Sequence, residues 1–369
     1  MLPSPSAEIS IILPTFNEAE NLADVIDQIA RVLEGEAWEI IVVDDDSSDG
    51  TAARAKAIAR SDTRVRCLRR VNRRGLAGAC IEGMLSSAAP YVAVMDADLQ
   101  HDASILPKML GLLRANEADI VIGSRHAVSG SIGSGFSKPR EAISRWATRF
   151  GRFALNTDIQ DLMSGFFAMR RDTFDTVAPQ LTTSGFKILA DIVASTGGRL
   201  RAIELGYTFQ QRMLGESKLD PKVALDFIAL LINKMTRGLI PNRFVIFAMV
   251  GAVGVIVHLA ILRSSMLAFP AIGFGVAQSI ATVVAMTSNF FLNNLITYGD
   301  QRVKGFAKIL RGLLAFWALC MLGAIANVGV ATSIYAASQI WWLAGFAGLA
   351  IGAVWNYTLS SLFVWRRAT

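Results

Sequence analysis

An α/β domain built on a mostly parallel sheet, followed by an all-α membrane domain of four helices, is the architecture that these 369 residues predict. Three observations carry that prediction. From residue 9 to residue 209, apolar runs of strand length alternate with segments of helical periodicity, which implies right-handed βαβ units. Polar clusters stand at the carboxyl ends of several of those runs, where open α/β sheets bind ligands. Beyond Arg243 the charge nearly disappears: residues 244–298 hold one charged side chain, Arg263, and residues 312–365 hold none. Apolar stretches of about 20 residues are long enough to cross a bilayer. The length suits roughly two domains, expected at 1–220 and 242–369 with residues 221–241 between them.

Taken in order, residues 9–14 read as an apolar strand ending in Thr15-Phe16-Asn17-Glu18. A helix follows, with Leu22, Val25, Ile26 and Ile29 on one face. Residues 39–43 form the second strand, which ends in DDDSSDGT (44–51) and leads into an Ala- and Arg-rich helix. Residues 65–68 form the third strand and 75–87 the next helix. The run YVAVM (91–95) reads as a fully buried strand and stops at Asp96 and Asp98, with Gln100 two residues on. Strand alternation puts these three on one side of the chain as it leaves the sheet. Clustered oxygen ligands of this kind suit a hard divalent cation; the competing reading is a solvated acidic turn. A helix over 105–115 and a strand over 120–122, ending in Gly123-Ser124-Arg125, complete the regular alternation. No purely structural α/β domain needs this density of acids at its strand ends.

Residues 126–139 are rich in Gly and Ser and read equally as a mobile loop or a plain surface loop. Arg140, Arg145, Arg149 and Arg152 follow at helical spacing. Strands are expected over 165–170 and 200–209, with a helix over 185–195 between them. Residues 221–237 are amphipathic, with Lys222, Asp226, Asn233 and Arg237 on one face. That pattern could be a core helix, but directly before a membrane span residues 221–241 are read as an interfacial helix in the headgroup layer and a linker.

Four spans fit at 244–262, 272–296, 313–335 and 340–364. The loop between the second and third carries Arg302, Lys304, Lys308 and Arg311, and the C-terminus carries Arg366 and Arg367. The other two loops are short and uncharged, with the one exception of Arg263 at the end of the first span. The positive-inside rule then places both termini and the α/β domain in the cytoplasm of a multi-pass protein, expected in a bacterial plasma membrane. Residues 1–10 have neither a basic nor an apolar signal region, so no cleavable signal is expected. Much of the net charge of +6 therefore has a membrane-topology explanation, and no nucleic-acid partner is expected. Cys67, Cys80 and Cys320 have no metal or disulfide spacing. SNFFLNNLITY (288–298) aligns with WNYTLSSLFVW (355–365), pairing Asn289 with Asn356 and Tyr298 with Trp365, so the membrane part reads as a duplicated helical hairpin. Asn289, Asn293 and Asn294 are expected to make interhelical hydrogen bonds in preference to forming a transport site.

Seven motifs occur in one order: PTFNE (14–18), VVDDDSSDGT (42–51), DADLQH (96–101), GSR (123–125), ISR (143–145), SGF (164–166) and RMLGESKL (212–219). In that order they resemble the dolichol-phosphate mannose synthases, inverting glycosyltransferases of family 2 with a GT-A fold, a Rossmann-like and mostly parallel sheet. GFKILADI (185–192) is similar to the branch that carries a membrane module, and the four spans resemble the GtrA-like module. The resemblance implies that Pro14, Phe16, Glu18, Val43 and Asp45 hold the nucleotide, with Asp96 and Ala97 at the ribose and diphosphate. It implies a Mg²⁺ or Mn²⁺ site on Asp96, Asp98 and Gln100, and phosphate binding by Arg125, Arg212 and Lys218, with Arg140 as a further member. On this reading Asp98, Arg125, Arg212 and Lys218 carry the catalysis. Three positions depart from the family pattern: Phe16 replaces Tyr, Phe167 stands where Arg is usual after SGF, and Ala103 replaces Pro.

The implied donor is a nucleotide sugar, GDP-mannose, and the implied acceptor a dolichyl or polyprenyl phosphate whose tail stays in the bilayer. A phosphate monoester has a second pKa near ~6 and is already a nucleophile at neutral pH. No dedicated base is then required, and His101, His126 and His258 offer no obvious one. UDP-glucose as donor is the enzymatic alternative. A non-catalytic lipid-sugar flippase is the alternative of another class, and the retained acidic set speaks against it. A processive synthase is disfavoured because no Q-x-x-R-W motif follows the acids. A homo-oligomer is compatible with the sequence.

Overall fold

The computed structural model describes residues 7–125, 131–132, 149, 151–155, 157–183, 187–197, 199–209, 221–236, 238–271 and 273–365. They form two compact units, Met1–Met235 and Thr236–Thr369.

In the first unit, β1 (Ile9–Thr15), β2 (Trp38–Asp44), β3 (Val65–Arg69), β4 (Tyr91–Val94), β5 (Ile120–Ser124), β7 (Phe167–Arg170) and β8 (Ala202–Gly206) make one sheet. The spatial order is β3-β2-β1-β4-β7-β5-β8, and only β7 runs antiparallel to its neighbours. The order turns around β1, so the crevice between β1 and β4 is a topological switch point. All seven residues of β1 are buried because helices cover both faces of the sheet. Ile11 and Leu13 pack on one face with Val42 and Phe166; Ile12 packs on the other with Ile41, Val43 and Met84. The helices α1 (Leu22–Val32), α2 (Thr51–Ser61), α3 (Leu76–Leu85) and α4 (Leu106–Arg114) connect the strands. In α1, Leu22, Val25, Ile26 and Ile29 are the buried face, as their spacing requires.

Three elements differ from the sequence expectation. The strand expected over 165–170 begins only at Phe167, because Ser164–Phe166 are taken up in a turn. The strand expected over 200–209 breaks at Tyr207: β8 ends at Gly206, and β9 (Thr208–Phe209) joins a separate two-stranded sheet with β6 (Ser131–Ile132). A short helix, α5 (Arg171–Val177), was not anticipated. It follows β7 without a glycine or proline boundary and buries only Phe174 and Val177.

Next come α6 (Ile188–Ser195) and α7 (Pro221–Met235). The apolar face of α7 is spent on its own unit: Phe227, Leu230 and Leu231 pack with Ala190, against Ala154 and Leu155. Lys234 Nζ near its end donates to Asp191 Oδ1 at 2.6 Å, Gln180 O at 2.6 Å and Ser195 Oγ at 2.9 Å.

The second unit contains α8 (Asn242–Ala268), α9 (Phe274–Leu292), α10 (Phe306–Ser338) and α11 (Trp341–Phe363). Among the described residues, three helical segments are long and apolar enough to cross a membrane: Asn242–Ala268, Val276–Thr297 and Phe306–Ile325. The fourth expected span falls on α11, several of whose side chains lie outside the described residues. The repeat is visible in the packing. A Cβ on Gly254 of α8 would meet the Asn289 amide of α9, and one on Gly323 of α10 would meet the Asn356 amide of α11. Asn289 and Asn356 are the repeat equivalents, so each hairpin is closed by the same glycine–asparagine approach. Tyr298 and Trp365, also equivalents, stack flat on each other with centroids 4.4 Å apart. Asn294 bonds between elements, accepting from Val303 N at 2.8 Å and Trp365 Nε1 at 3.0 Å. Asn293 instead bonds back to Asn289 O in its own helix at 2.9 Å, where a π turn over Asn293–Thr297 opens the backbone.

Candidate active site

The carboxyl ends of β1, β2, β4 and β5 point to one edge of the sheet, and the motif residues meet there. The loops after β1 and β2 are sewn together. Asn17 N donates to Ser47 Oγ at 2.9 Å, Ser48 N to Asn17 Oδ1 at 3.1 Å, Glu18 N to Thr51 Oγ1 at 3.0 Å and Ala19 N to Asp49 Oδ2 at 3.0 Å. Several acids of DDDSSDGT are therefore turn-builders. Asp44 accepts from Ser47 Oγ at 2.5 Å, Asp46 pairs with Arg69 at 2.5 Å, and Asp49 accepts from Thr51 Oγ1 at 2.6 Å. The density of acids here is in large part structural, which corrects the functional weight given to it from sequence.

Asp45 is different. It is buried, and its carboxylate is held from two sides, by the buried guanidinium of Arg70 on Oδ1 and by Gly75 N at 2.6 Å on Oδ2. Arg70 Nη1 also donates to Gly75 O at 3.1 Å. Such a fixed carboxylate presents its remaining lone pairs in one direction. Pro14 and Val43 are buried register partners on β1 and β2 beneath it. Phe16 is capped by the Arg74 guanidinium, 4.6 Å from the ring centroid, an attraction that does not need the missing tyrosine hydroxyl. Glu18 accepts from Asn21 Nδ2 at 2.9 Å.

After β4, Asp96, Asp98 and Gln100 are half-buried, as is Leu99, while Ala97 between the acids is buried; β4 itself ends at Val94, so strand alternation does not extend through these residues. The chain then turns: Leu99 has φ +60°, and Gln100 N donates to Asp98 Oδ1 at 3.2 Å. Asp96 lies against Gly165, where a Cβ would sit 2.5 Å from Asp96 Oδ2. The SGF turn is itself pinned, with Ser164 Oγ donating to Gly123 O at 2.6 Å and Phe166 N donating to Ser164 Oγ at 3.1 Å. Phe167, the departure from the family pattern, is fully buried in the core and does not face the site.

After β5, Arg125 grips Asp161 in bidentate fashion, Nε to Oδ2 and Nη2 to Oδ1, both at 2.8 Å. Asp161 is buried, and its backbone N donates to Glu204 Oε1 at 3.0 Å. Burial works against the Arg125 charge, but Asp161 outweighs it and holds the guanidinium above its ordinary pKa. Lys187, the residue before α6, lies in the field of Arg125, Asp161 and Asp96; burial first and Arg125 second push it down to about 8. Burial raises the Tyr207 hydroxyl above its usual range.

Pro14, Phe16, Glu18, Val43, Asp45, Asp96, Ala97, Asp98, Gln100 and Arg125 all lie at or just past the carboxyl ends of β1, β2, β4 and β5. Arg140, Arg212 and Lys218 lie outside the described residues. Sequence reasoning missed Arg70, Asp161, Lys187 and Tyr207. The only signals were RR before VNRRG, the acid opening DLMSGF, and the Lys of GFKIL. Among the described residues, no three His, Cys, Asp or Glu side chains gather as a closed metal cage. Two carboxylates and one amide oxygen at an open strand end instead fit an ion such as Mg²⁺ or Mn²⁺, which takes most of its remaining ligands from water and phosphate.

The family Glycosyl transferase family 2 matches residues 10–178, and GtrA/DPMS, transmembrane domain, matches residues 246–365. A dolichol-phosphate mannosyltransferase from Pyrococcus furiosus is 33% identical over 97% of this chain and 99% of its own length. One from Mycosarcoma maydis is 31% identical over 67% of this chain and 86% of its own length. Among solved structures, glucosyl-3-phosphoglycerate synthase from Mycobacterium tuberculosis, in complex with Mn²⁺, UDP and glucosyl-3-phosphoglycerate, aligns with a TM-score of 0.51 at 20% identity. The alignment covers 62% of this chain and 80% of that one. At that identity the likeness establishes the fold.

Proposed function

This chain belongs to the dolichol-phosphate mannosyltransferases, with a family 2 glycosyltransferase domain and a GtrA/DPMS transmembrane domain, and from that premise we propose that it transfers mannose from GDP-mannose to a polyprenyl phosphate with inversion. It is a membrane-bound glycosyltransferase. The observation that supports the reading is that Asp96, just past β4, lies in the field of the Arg125–Asp161 pair just past β5, with Asp98 and Gln100 following Asp96 in the chain. It is the charge pattern that a nucleoside diphosphate leaving group requires.

Asp96, Asp98 and Gln100 would hold Mg²⁺ or Mn²⁺, which when bound neutralises charge developing on the diphosphate. Mn²⁺ accompanies the diphosphate nucleotide in the Mycobacterium tuberculosis synthase. Arg125 is already desolvated and oriented by Asp161, so it stabilises a phosphate oxyanion without reorganising. Arg140, Arg212 and Lys218 would add charge around the donor and acceptor phosphates. Asp45, fixed by Arg70 and Gly75, accepts from base or ribose donors, and guanine offers adjacent N–H groups that a carboxylate can accept together. The acceptor phosphate, with a second pKa near ~6, attacks without a protein base. A single in-line displacement inverts the anomeric carbon.

The donor is tested by offering radiolabelled GDP-mannose or UDP-glucose to membranes that contain the protein and a polyprenyl phosphate. Label from GDP-mannose should enter a chloroform-soluble, mild-acid-labile lipid. Label from UDP-glucose alone would replace the donor assignment, and no transfer from either would favour a non-catalytic lipid-handling role.

We also infer that both termini and the α/β unit face the cytoplasm, on the strength of Arg302, Lys304, Lys308 and Arg311 between the second and third spans. A cysteine at Lys304 should react with a membrane-impermeant maleimide only in inverted vesicles, and one at Ser338 only in right-side-out vesicles. The reverse pattern would place the domain away from nucleotide sugars and refute the orientation.

A further inference from the structure

We propose that His101 is a positioning residue that, backed by Tyr207, fixes the carboxylate of Asp96 for metal binding; the inference rests on the metal reading above. His101 is buried, its side chain 4% exposed, and both ring nitrogens are engaged. Nε2 lies 3.4 Å from Asp96 Oδ2 and Nδ1 lies 2.6 Å from Tyr207 Oη. A carboxylate only accepts, so Nε2 carries the hydrogen. In a neutral ring Nδ1 then accepts from the Tyr207 hydroxyl. Tyr207 Oη–H to Nδ1 and Nε2–H to Oδ2 is a directed pair of bonds that ends on the carboxylate.

The ring cannot turn away. Phe166 stands 5.3 Å from it and Tyr207 5.7 Å, centroid to centroid, and those two rings meet edge to face at 5.9 Å. Asp96 Oδ2 is bounded on another side by the bare Cα of Gly165, where no side chain would fit. Histidine and glycine thus restrict the same oxygen, while the Asp96 side chain remains 36% exposed toward the crevice. Groups behind a ligating carboxylate orient it and tune its affinity.

The test uses the full chain in detergent. Mn²⁺ binding is followed by electron paramagnetic resonance with and without GDP, alongside thermal unfolding. H101L keeps bulk but loses both nitrogens, and Mn²⁺ affinity should fall about 10- to 100-fold, the usual effect of losing such a partner. H101Q keeps an N–H that can reach Asp96 and should stay within about 3-fold of the parent. Y207F should weaken Mn²⁺ severalfold by leaving Nδ1 without its donor. A folded H101L that binds Mn²⁺ as the parent does overturns the inference. If H101L does not fold, Y207F decides: parental affinity overturns the inference, and a severalfold loss supports it. A parent chain that takes up no Mn²⁺ in either condition overturns the metal reading, and this inference with it.

Discussion

Replacing Asp98 with alanine is expected to lower sugar transfer by about 10²–10³-fold, the scale of losing one preorganised electrostatic contact to a developing oxyanion. Asp98 is one of two carboxylates at the open end of β4, and its Oδ1 also accepts from Gln100 N at 3.2 Å. The substitution therefore removes a negative ligand and releases the backbone of its neighbour. Asp98→Asn separates the two contributions, because an amide oxygen still accepts from Gln100 N but carries no charge. The thermal midpoint should change little, since Asp98 is half-buried and lies outside the core clusters. EDTA should reproduce the loss in the parent, and added Mn²⁺ should restore the parent but not the variant. Full transfer in chelator would remove the metal from the mechanism.

Gly165→Ala should rank next. The added Cβ would stand 2.5 Å from Asp96 Oδ2, 3.0 Å from its Cγ and 3.2 Å from its Oδ1. Asp96 must therefore swing away or the SGF turn must open. The turn resists, because Ser164 Oγ is bonded to Gly123 O at 2.6 Å and Gly123 N donates to Phe166 O at 2.9 Å. The carboxylate is the softer partner, and displacing a reacting-site group by about 1 Å can cost on the order of 10²-fold in rate. Transfer should fall by about that factor and the Mn²⁺ requirement should rise, with the protein still folded. Equal rates in parent and variant would show that Asp96 has room to move, contrary to the packing.

Much of this site was legible before any coordinates. Period-2 alternation predicts Asp96, Asp98 and Gln100 on one side of the chain, but β4 ends at Val94 and Leu99 has φ +60°, so the chain turns through residues 96–100, of which only Ala97 between the two acids is buried. DDDSSDGT was legible as a strand-end loop but over-read as functional. Asp44, Asp46 and Asp49 accept from Ser47, Arg69 and Thr51, and a short polar side chain that stitches a turn looks the same in sequence as one that waits for a ligand. His101 was noticed and set aside as a base. Its ring contacts, to residues five and 106 positions away, are the long-range observations on which the positioning role proposed above rests.

The sequence by itself determined the alternating α/β unit, the apolar spans and the duplicated hairpin. Strand alternation, helical periodicity and apolar runs of membrane length are local patterns that neighbouring residues spell out. Only the tertiary structure decided who meets whom. β7 runs antiparallel between β4 and β5, with Phe167 paired to both Val94 and Ile122. That direction brings the residues before β7, Ser164 to Phe166, to the edge where β4 releases Asp96. A parallel strand would have delivered the residues after it. The Gly165–Asp96 approach, the Arg125–Asp161 grip and the Tyr207–His101 bond all follow from this strand order. Strand order is set by how two helix-covered faces bury their apolar surface over long separations in sequence, and no local pattern records it.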